Sequence, residues 1–249
     1  NYGSANDVHL RSVLDSYLRM PCRPRIVVFA SEPKSLGDGV EVRVGIPDEG
    51  PQWMPLFIRQ LLAAEAGNYD VYIASEDDTL VLDRHVEAFC AAARHTDERI
   101  VPGFMRYEEW PDGRYVHTLH AQFGWKLNTI FSRGPYVFAE PANLHSAVYM
   151  LTRQHLTTAL RSGRFLERPQ LTRVYGPLEV ATTHLYERCG LQKVVAVSHG
   201  RDFLLHHLPD RYWKRRLGVA VPLVEAQWSK MVEAAACDEG LTRLVEPNV

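Results

Sequence analysis

The chain has 249 residues, 46% of them hydrophobic, enough for one large domain with a substantial core or for two small ones. Its formal net charge is -2 and its pI about 6.6, which excludes a global basic field for nucleic acid or an anionic membrane while leaving room for local basic clusters. No apolar stretch approaches the roughly 18 residues of a membrane span.

In chain order, apolar residues at Val8, Leu10, Val13, Leu14, Tyr17 and Leu18 predict a helix from Val8 to Met20, stopped by Pro21. Arg25 to Ala30 reads as a buried strand and Val40 to Val44, which alternates, as a more exposed one. Trp53, Phe57, Leu61 and Ala64 share a helical face, with Gly67 a C-terminal cap. Tyr69 to Ala74 is a buried strand, and Leu82, Val86, Phe89, Cys90 and Ala93 form another helical stripe. Ile100 to Phe104 predicts a strand. Residues 106 to 140, rich in aromatics, Gly, Pro and His, read as a hairpin plus long loops, a kind of segment that is often functional. Thr152 caps a helix through Arg161, Pro177 to Arg188 is a helix with Pro in its first turn, Lys193 to Val197 is a strand, and Val221 to Cys237 closes the chain as a helix. This alternation predicts one continuous α/β layered domain. The four cysteines, Cys22, Cys90, Cys189 and Cys237, are far apart and form no CxxC, so they read as buried free thiols in a reducing compartment. With no visible leader, cytoplasmic residence is expected; a leader, anchor or first strand trimmed ahead of Asn1 would overturn that.

The strongest chemical signal is Glu76-Asp77-Asp78, three carboxylates at the end of a buried strand. They repel one another unless a cation sits between them, and hard oxygen ligands suit Mg²⁺ or Mn²⁺. If extended geometry persists, Glu76 and Asp78 share one face and Asp77 points the other way. The alternative is an acidic loop capping the helix that starts near Leu82. Glu179, in the first turn of its helix after Gly176-Pro177, is either a proton acceptor for a substrate hydroxyl or a favourable partner of the helix dipole. In Leu205-His206-His207 adjacent side chains diverge, so one imidazole at most meets a metal. Lys214, Arg215 and Arg216 could neutralise a diphosphate or be solvated surface bases. His145, in Glu140 to Ala147, either orients sugar hydroxyls or is structural, and Tyr107, Trp110, Tyr115, Phe123 and Trp125 either stack on sugar faces or pack their own subregion.

The order of these pieces resembles that of GT-A type nucleotide-sugar-dependent glycosyltransferases: an early helix at Leu10 to Tyr17, the strand ending Ser75-Glu76-Asp77-Asp78, Gly176-Pro177-Leu178-Glu179 on a late helix, a Cys189-Gly190-Leu191 break and His207-Leu208-Pro209. The resemblance implies a mostly parallel, Rossmann-like sheet flanked by helices, with a nucleotide-binding half over about 1–105 and an acceptor-binding half with C-terminal closure over about 106–249. It implies Asp78 as the metal ligand of a DXD-like motif, with His207 the C-terminal metal or diphosphate contact and His206 the second choice. Glu76 and Asp77 would lie near the ribose or the metal's water shell, Lys214 at the diphosphate, and Tyr2 and Gly3 in the loop that holds the nucleobase. Glu179 matches the base of inverting members, although many of these carry two adjacent acids where this chain has Leu178-Glu179. The expected partners are a nucleotide-sugar donor, UDP-sugar favoured, and a carbohydrate or glycosylated acceptor; the expected cofactor is Mn²⁺ or Mg²⁺. A glycoside hydrolase also needs two carboxylates, a sugar nucleotidyltransferase could share the layout but would want a Gly-rich, lysine-containing loop, and a non-catalytic carbohydrate-binding module would need neither Asp78 nor Glu179.

Overall fold

Apolar runs bounded by Pro, Gly and polar residues become short strands, and the longer periodic stripes become helices. The computed structural model describes residues 3–48, 50–117, 124–171 and 176–237, so Tyr2, Phe123 and Tyr175 lie outside the described residues. In chain order the elements are α1 (Asp7–Leu18), β1 (Ile26–Ala30), β2 (Val40–Val44), α2 (Met54–Ala64), β3 (Val71–Ser75), β4 (Thr79–Leu80) and α3 (Asp83–Ala93). Then come β5 (Ile100–Pro102), β6 (Met105–Trp110), β7 (Gly113–His117), β8 (Trp125–Arg133), β9 (Tyr136–Pro141), β10 (Val148–Thr152) and α4 (Arg153–Arg161). The chain continues with α5 (Pro177–Arg188), β11 (Gln192–Ala196), a 3-10 segment at Val197–Phe203, β12 (Leu204–His207), β13 (Gly218–Ala220) and α6 (Val221–Ala235).

The expected mostly parallel, Rossmann-like sheet is not what these strands build. The fold is mixed α/β with antiparallel-rich sheets. Among the described residues only β1–β2, β5–β11 and β6–β12 pair in parallel. The strand that ends in the acids, β3, runs antiparallel to β10, with Ile73 opposite Met150. Two larger sheets have the orders β5-β11-β9-β8 and β13-β7-β6-β12-β4. The cause lies in the described part of residues 106–140, expected to be a hairpin plus long loops. They form the hairpins β6–β7 and β8–β9, and a short turn can join only antiparallel neighbours. A register shift between Lys126 and Phe131 breaks the alternation of β8, hiding the strand from a period-two reading.

A contiguous apolar core joins α1, β3, α3, β10 and β11, with Leu14, Phe89, Met150 and Val195 all buried. Thr152 caps α4 as expected, its hydroxyl accepting from His155 N–H at 3.2 Å, while His155 Nδ1 accepts from Thr152 N–H at 3.2 Å. His85 repeats the second half of this device on α3, accepting from Leu82 N–H at 3.0 Å. The buried face of α2 differs from the expected stripe: Met54, Arg59 and Leu62 point inward, while Phe57 and Leu61 are half-buried. The arginine inside the stripe is what misleads a purely apolar reading. All four cysteines are free, but only Cys189 is fully buried; Cys90 is half-buried, and Cys22 and Cys237 are exposed. Among the described residues no helix is long and apolar enough to cross a membrane.

Where α6 crosses the 3-10 segment, a Cβ on Gly200 would lie 2.3 Å from the ring of the buried Trp228. Gly200→Ala is therefore expected to destabilise the fold by about 1–3 kcal/mol, read as a lower midpoint in urea; an unchanged midpoint would mean that this helix contact is loose.

Candidate functional site

The acids Glu76, Asp77 and Asp78 follow β3 directly, but the chain turns at Asp77-Asp78, so extended geometry does not persist. None of them caps α3, which begins only after β4 and takes its side-chain cap from His85. The three carboxylates instead go to three sets of partners. Glu76 pairs with Arg106 at 3.1 Å. Asp77 accepts from the Asn6 amide at 2.9 Å. Asp78, 7% exposed, directs Oδ2 toward Asn6 at 3.3 Å and toward His207 Nε2 and Arg211 Nη2, each at 3.6 Å. Its other oxygen, Oδ1, is buried without a hydrogen-bond partner.

Sheet register delivers His207 to this point. In β12, His207 pairs with Thr79 across β4, and Leu208 N–H donates to Asp78 C=O at 2.8 Å. On its other side β12 runs parallel to β6, with His206 beside Tyr107. Because side chains alternate along a strand, Glu108 and His207 share one face, whereas Tyr107 and His206 stack on the other with ring centres 5.1 Å apart. This separates the two histidines: His206 turns away toward Asp210, and His207 faces Asp78.

Glu108 is the residue that sequence reasoning missed. Its buried carboxylate accepts from His207 Nδ1 at 2.7 Å, Arg211 N–H at 3.1 Å, Tyr212 N–H at 2.9 Å and Trp110 Nε1 at 3.3 Å. It thereby fixes the imidazole and the turn that follows β12. Holding a proton on Nδ1 leaves Nε2 as the nitrogen directed at Asp78, the carboxylate–histidine arrangement that orients metal-binding imidazoles. Asn6, Arg106 and Arg211 were also missed. An acid inside a half-apolar strand, Tyr107-Glu108, was the available signal, but its partner lies 99 residues away in sequence.

Electrostatics follow from this packing. Burial pushes the Glu76 carboxyl above its usual value, with Arg106 partly opposing. Burial would do the same to Asp78 and Glu108, but hydrogen bonding to His207 and nearby positive charge outweigh it and hold both below the usual range. For His207 burial favours the neutral ring, and Asp78 and Glu108 together reverse that, raising it. Burial, with Arg106 adding, pulls His117 down to about 4 and keeps His145 neutral. His145 bridges the site to α5: one ring nitrogen lies 3.2 Å from Arg106 Nη2, the other 3.3 Å from the Thr182 hydroxyl.

The remaining expected residues are placed as follows. Gly3 N–H donates to the Ser31 hydroxyl at 2.9 Å, so the loop carrying Gly3 and Asn6 runs from the end of β1 to the end of β3. Glu179 accepts from Gly176 N–H at 2.5 Å, a helix-capping role, one turn ahead of Thr182 on the same side of α5. Lys214 is exposed with its ammonium over the Trp213 ring at 5.6 Å, and Arg215 and Arg216 are exposed beside it. Trp110 stacks on Tyr115 at 4.0 Å, packing the hairpin itself. A cleft of about 550 Å³ lies against the opposite face of the five-stranded sheet, over Tyr107 and Leu204; there Arg201 is paired with Glu225 and Arg114 with Glu109.

No three or more His, Cys, Asp and Glu side chains among the described residues gather to hold a metal ion by themselves. Asp78 and His207 do fit a hard divalent cation of the kind that takes one or two protein ligands and completes its shell with water and phosphate oxygens. The unpartnered Asp78 Oδ1 is the observation that favours this. Comparison with known proteins finds no matching family model, no matching curated protein and no matching solved structure.

Proposed function

We propose that this chain is a divalent-metal-dependent glycosyltransferase that moves a sugar from a nucleoside-diphosphate sugar, with UDP favoured, to an acceptor hydroxyl on a carbohydrate or glycosylated molecule. The observation that carries the proposal is the buried Asp78 carboxylate, with one oxygen unpartnered, facing a His207 ring that Glu108 holds in place. The support comes from the site and from the order of motifs, since the sheet departs from the parallel arrangement that the resemblance implied. A cation bound there would supply positive charge against the leaving diphosphate. Asp78 and His207 would hold it, and Asn6 keeps Asp77 and Asp78 oriented. Arg211, whose guanidinium is more than half exposed at the rim, adds donors for the phosphate oxygens. Glu179 takes the proton from the acceptor hydroxyl. Exposed free thiols at Cys22 and Cys237 are in keeping with a reducing, cytoplasmic setting for this activity.

Calorimetric titration with nucleoside diphosphates and nucleotide sugars, with and without Mn²⁺, tests the proposal. Metal-dependent binding of one nucleotide class is expected. No binding across the panel would sink the transferase reading and favour a hydrolase or a binding module. Glu179→Gln can still accept from Gly176 N–H, so the helix start should survive. Turnover should fall by roughly 10²–10⁴-fold with donor KM nearly unchanged; unaltered turnover would remove Glu179 as the base.

A further inference from the structure

A hydrogen-bonded row that the proposed chemistry does not use runs from the acidic site into α5 through His145. This histidine lies in the loop before β10 and is 6% exposed. Its backbone is held on both sides: N–H donates to Asn143 Oδ1 at 2.9 Å, and C=O accepts from the Lys193 ammonium at 2.8 Å. On the ring, Nε2 lies 3.2 Å from Arg106 Nη2, and Nδ1 lies 3.3 Å from the Thr182 hydroxyl. At the two ends of the row, Arg106 Nη1 donates to Glu76 Oε2 at 3.1 Å, and the Thr182 hydroxyl donates to Glu179 C=O at 3.0 Å. A helical threonine commonly returns its hydroxyl to its own helix. Here the same oxygen also faces an imidazole from 37 residues earlier in the chain.

Chemistry sets the direction of every bond in this row. Guanidinium donates and never accepts, so His145 Nε2 accepts from Arg106 and Nδ1 carries the single ring proton. Nδ1–H then donates to Thr182 Oγ1, which leaves the hydroxyl proton for Glu179 C=O. Burial, with Arg106 adding, keeps the ring neutral; a second ring proton would point Nε2–H at an arginine N–H. We propose that His145, locked in its Nδ1–H form, is a positioning residue that holds the first turn of α5, and with it Glu179, at a fixed place relative to Glu76 and the end of β3. Its effect on turnover rests on the transferase reading above, whereas the proton order rests on geometry alone. In this role His145 and Thr182 touch no reacting group and act through the main chain of Glu179.

Two measurements on the full chain test this. In ¹⁵N-labelled protein at neutral pH, the His145 ring, assigned from its backbone resonances, is expected as the neutral Nδ1–H tautomer. In kinetics, Thr182→Val keeps the shape but removes the hydroxyl. It should lower kcat by roughly 10–100-fold with donor KM unchanged. Thr182→Ser keeps the hydroxyl and should return most of the rate. A packing role alone predicts the reverse order, because valine fills the space of threonine and serine leaves a gap. An Nε2–H tautomer or an imidazolium at His145 would overturn the proposal, and that reading does not depend on Thr182→Val folding. So would a folded Thr182→Val that keeps the parent's kcat or outpaces Thr182→Ser. A parent that transfers no sugar defeats the transferase reading and the kinetic role with it. The ring spectrum is indifferent to that result, so the two failures are told apart.

Discussion

Replacing Asp78 with alanine is expected to lower Mn²⁺-stimulated sugar transfer by roughly 10²–10³-fold, the scale of losing one preorganised electrostatic contact to developing charge. Two effects combine. The substitution deletes a buried carboxylate oxygen that has no hydrogen-bond partner, and it removes the carboxylate that draws His207 and Arg211 together at 3.6 Å each. Alanine also strips partners from buried groups, so a stability loss of about 1–3 kcal/mol should accompany it. Asp78→Asn separates the two effects. It keeps the volume and one acceptor for the Asn6 amide but withdraws the negative charge, so activity should fall nearly as far while the unfolding midpoint moves less. The decisive measurement is initial rate against Mn²⁺ concentration for both variants. Parent-like rates at saturating Mn²⁺ would dismiss Asp78 as a metal ligand.

Lys193→Met should raise stability near pH 6.5 and flatten the dependence of stability on pH. Lys193 is 1% exposed on β11, its ammonium donating to His145 C=O at 2.8 Å. Burial, with Arg106 adding, pulls its pKa down from 10.5 to about 7. The folded-state value is thus below the unfolded one. Between these two values the unfolded chain binds more protons than the native chain, so stability rises with pH. At 1.36 kcal/mol per pH unit at most, the gain from pH 7 to pH 9 is about 2 kcal/mol. Above the ordinary thiol value of 9.0 the raised pKa values of Cys90 and Cys189 work in the opposite direction, so the window closes there. Met fills the same space without a charge, and denaturant melts across pH 6.5–9 should show a smaller slope. An identical slope in the variant would show that Lys193 carries its proton at no cost.

Local signals made much of the secondary structure legible. Pro177 and Gly176 mark the start of α5, Thr152 caps α4, and the β-branched run Ile26-Val27-Val28 needs no context to read as a strand. The pairing of those strands was not legible. Strand–helix alternation suggests parallel crossovers, but β3 takes β10 as an antiparallel partner from much later in the chain, and the hairpins of residues 105–141 are disguised by a bulge and by polar residues turned inward. The site shows the same division. The acids of residues 76–78 announce themselves by charge density, and their nearness to His207 was suggested only by the order of motifs. Arg106, Glu108 and Asn6 reach the site through register and a long-range loop contact, which no window of sequence records. Glu179 carried two meanings from the outset, and its bond to Gly176 N–H accounts for the capping one.

The alternation along β6 and β12 makes the site intolerant of insertions. Tyr107 and Glu108 are chain neighbours, yet one supplies a ring to the outer cleft and the other a carboxylate to His207. A single residue added between Met105 and Glu108 would invert every side chain beyond it relative to β12. Tyr107 would then be offered to His207 and Glu108 to the arginine-lined cleft, costing His207 its acceptor and the turn after β12 its anchor in one step. A two-residue insertion would restore the faces. Frameshift-like insertions of one and two residues at this position therefore differ in kind, and the length of β6 is held by parity.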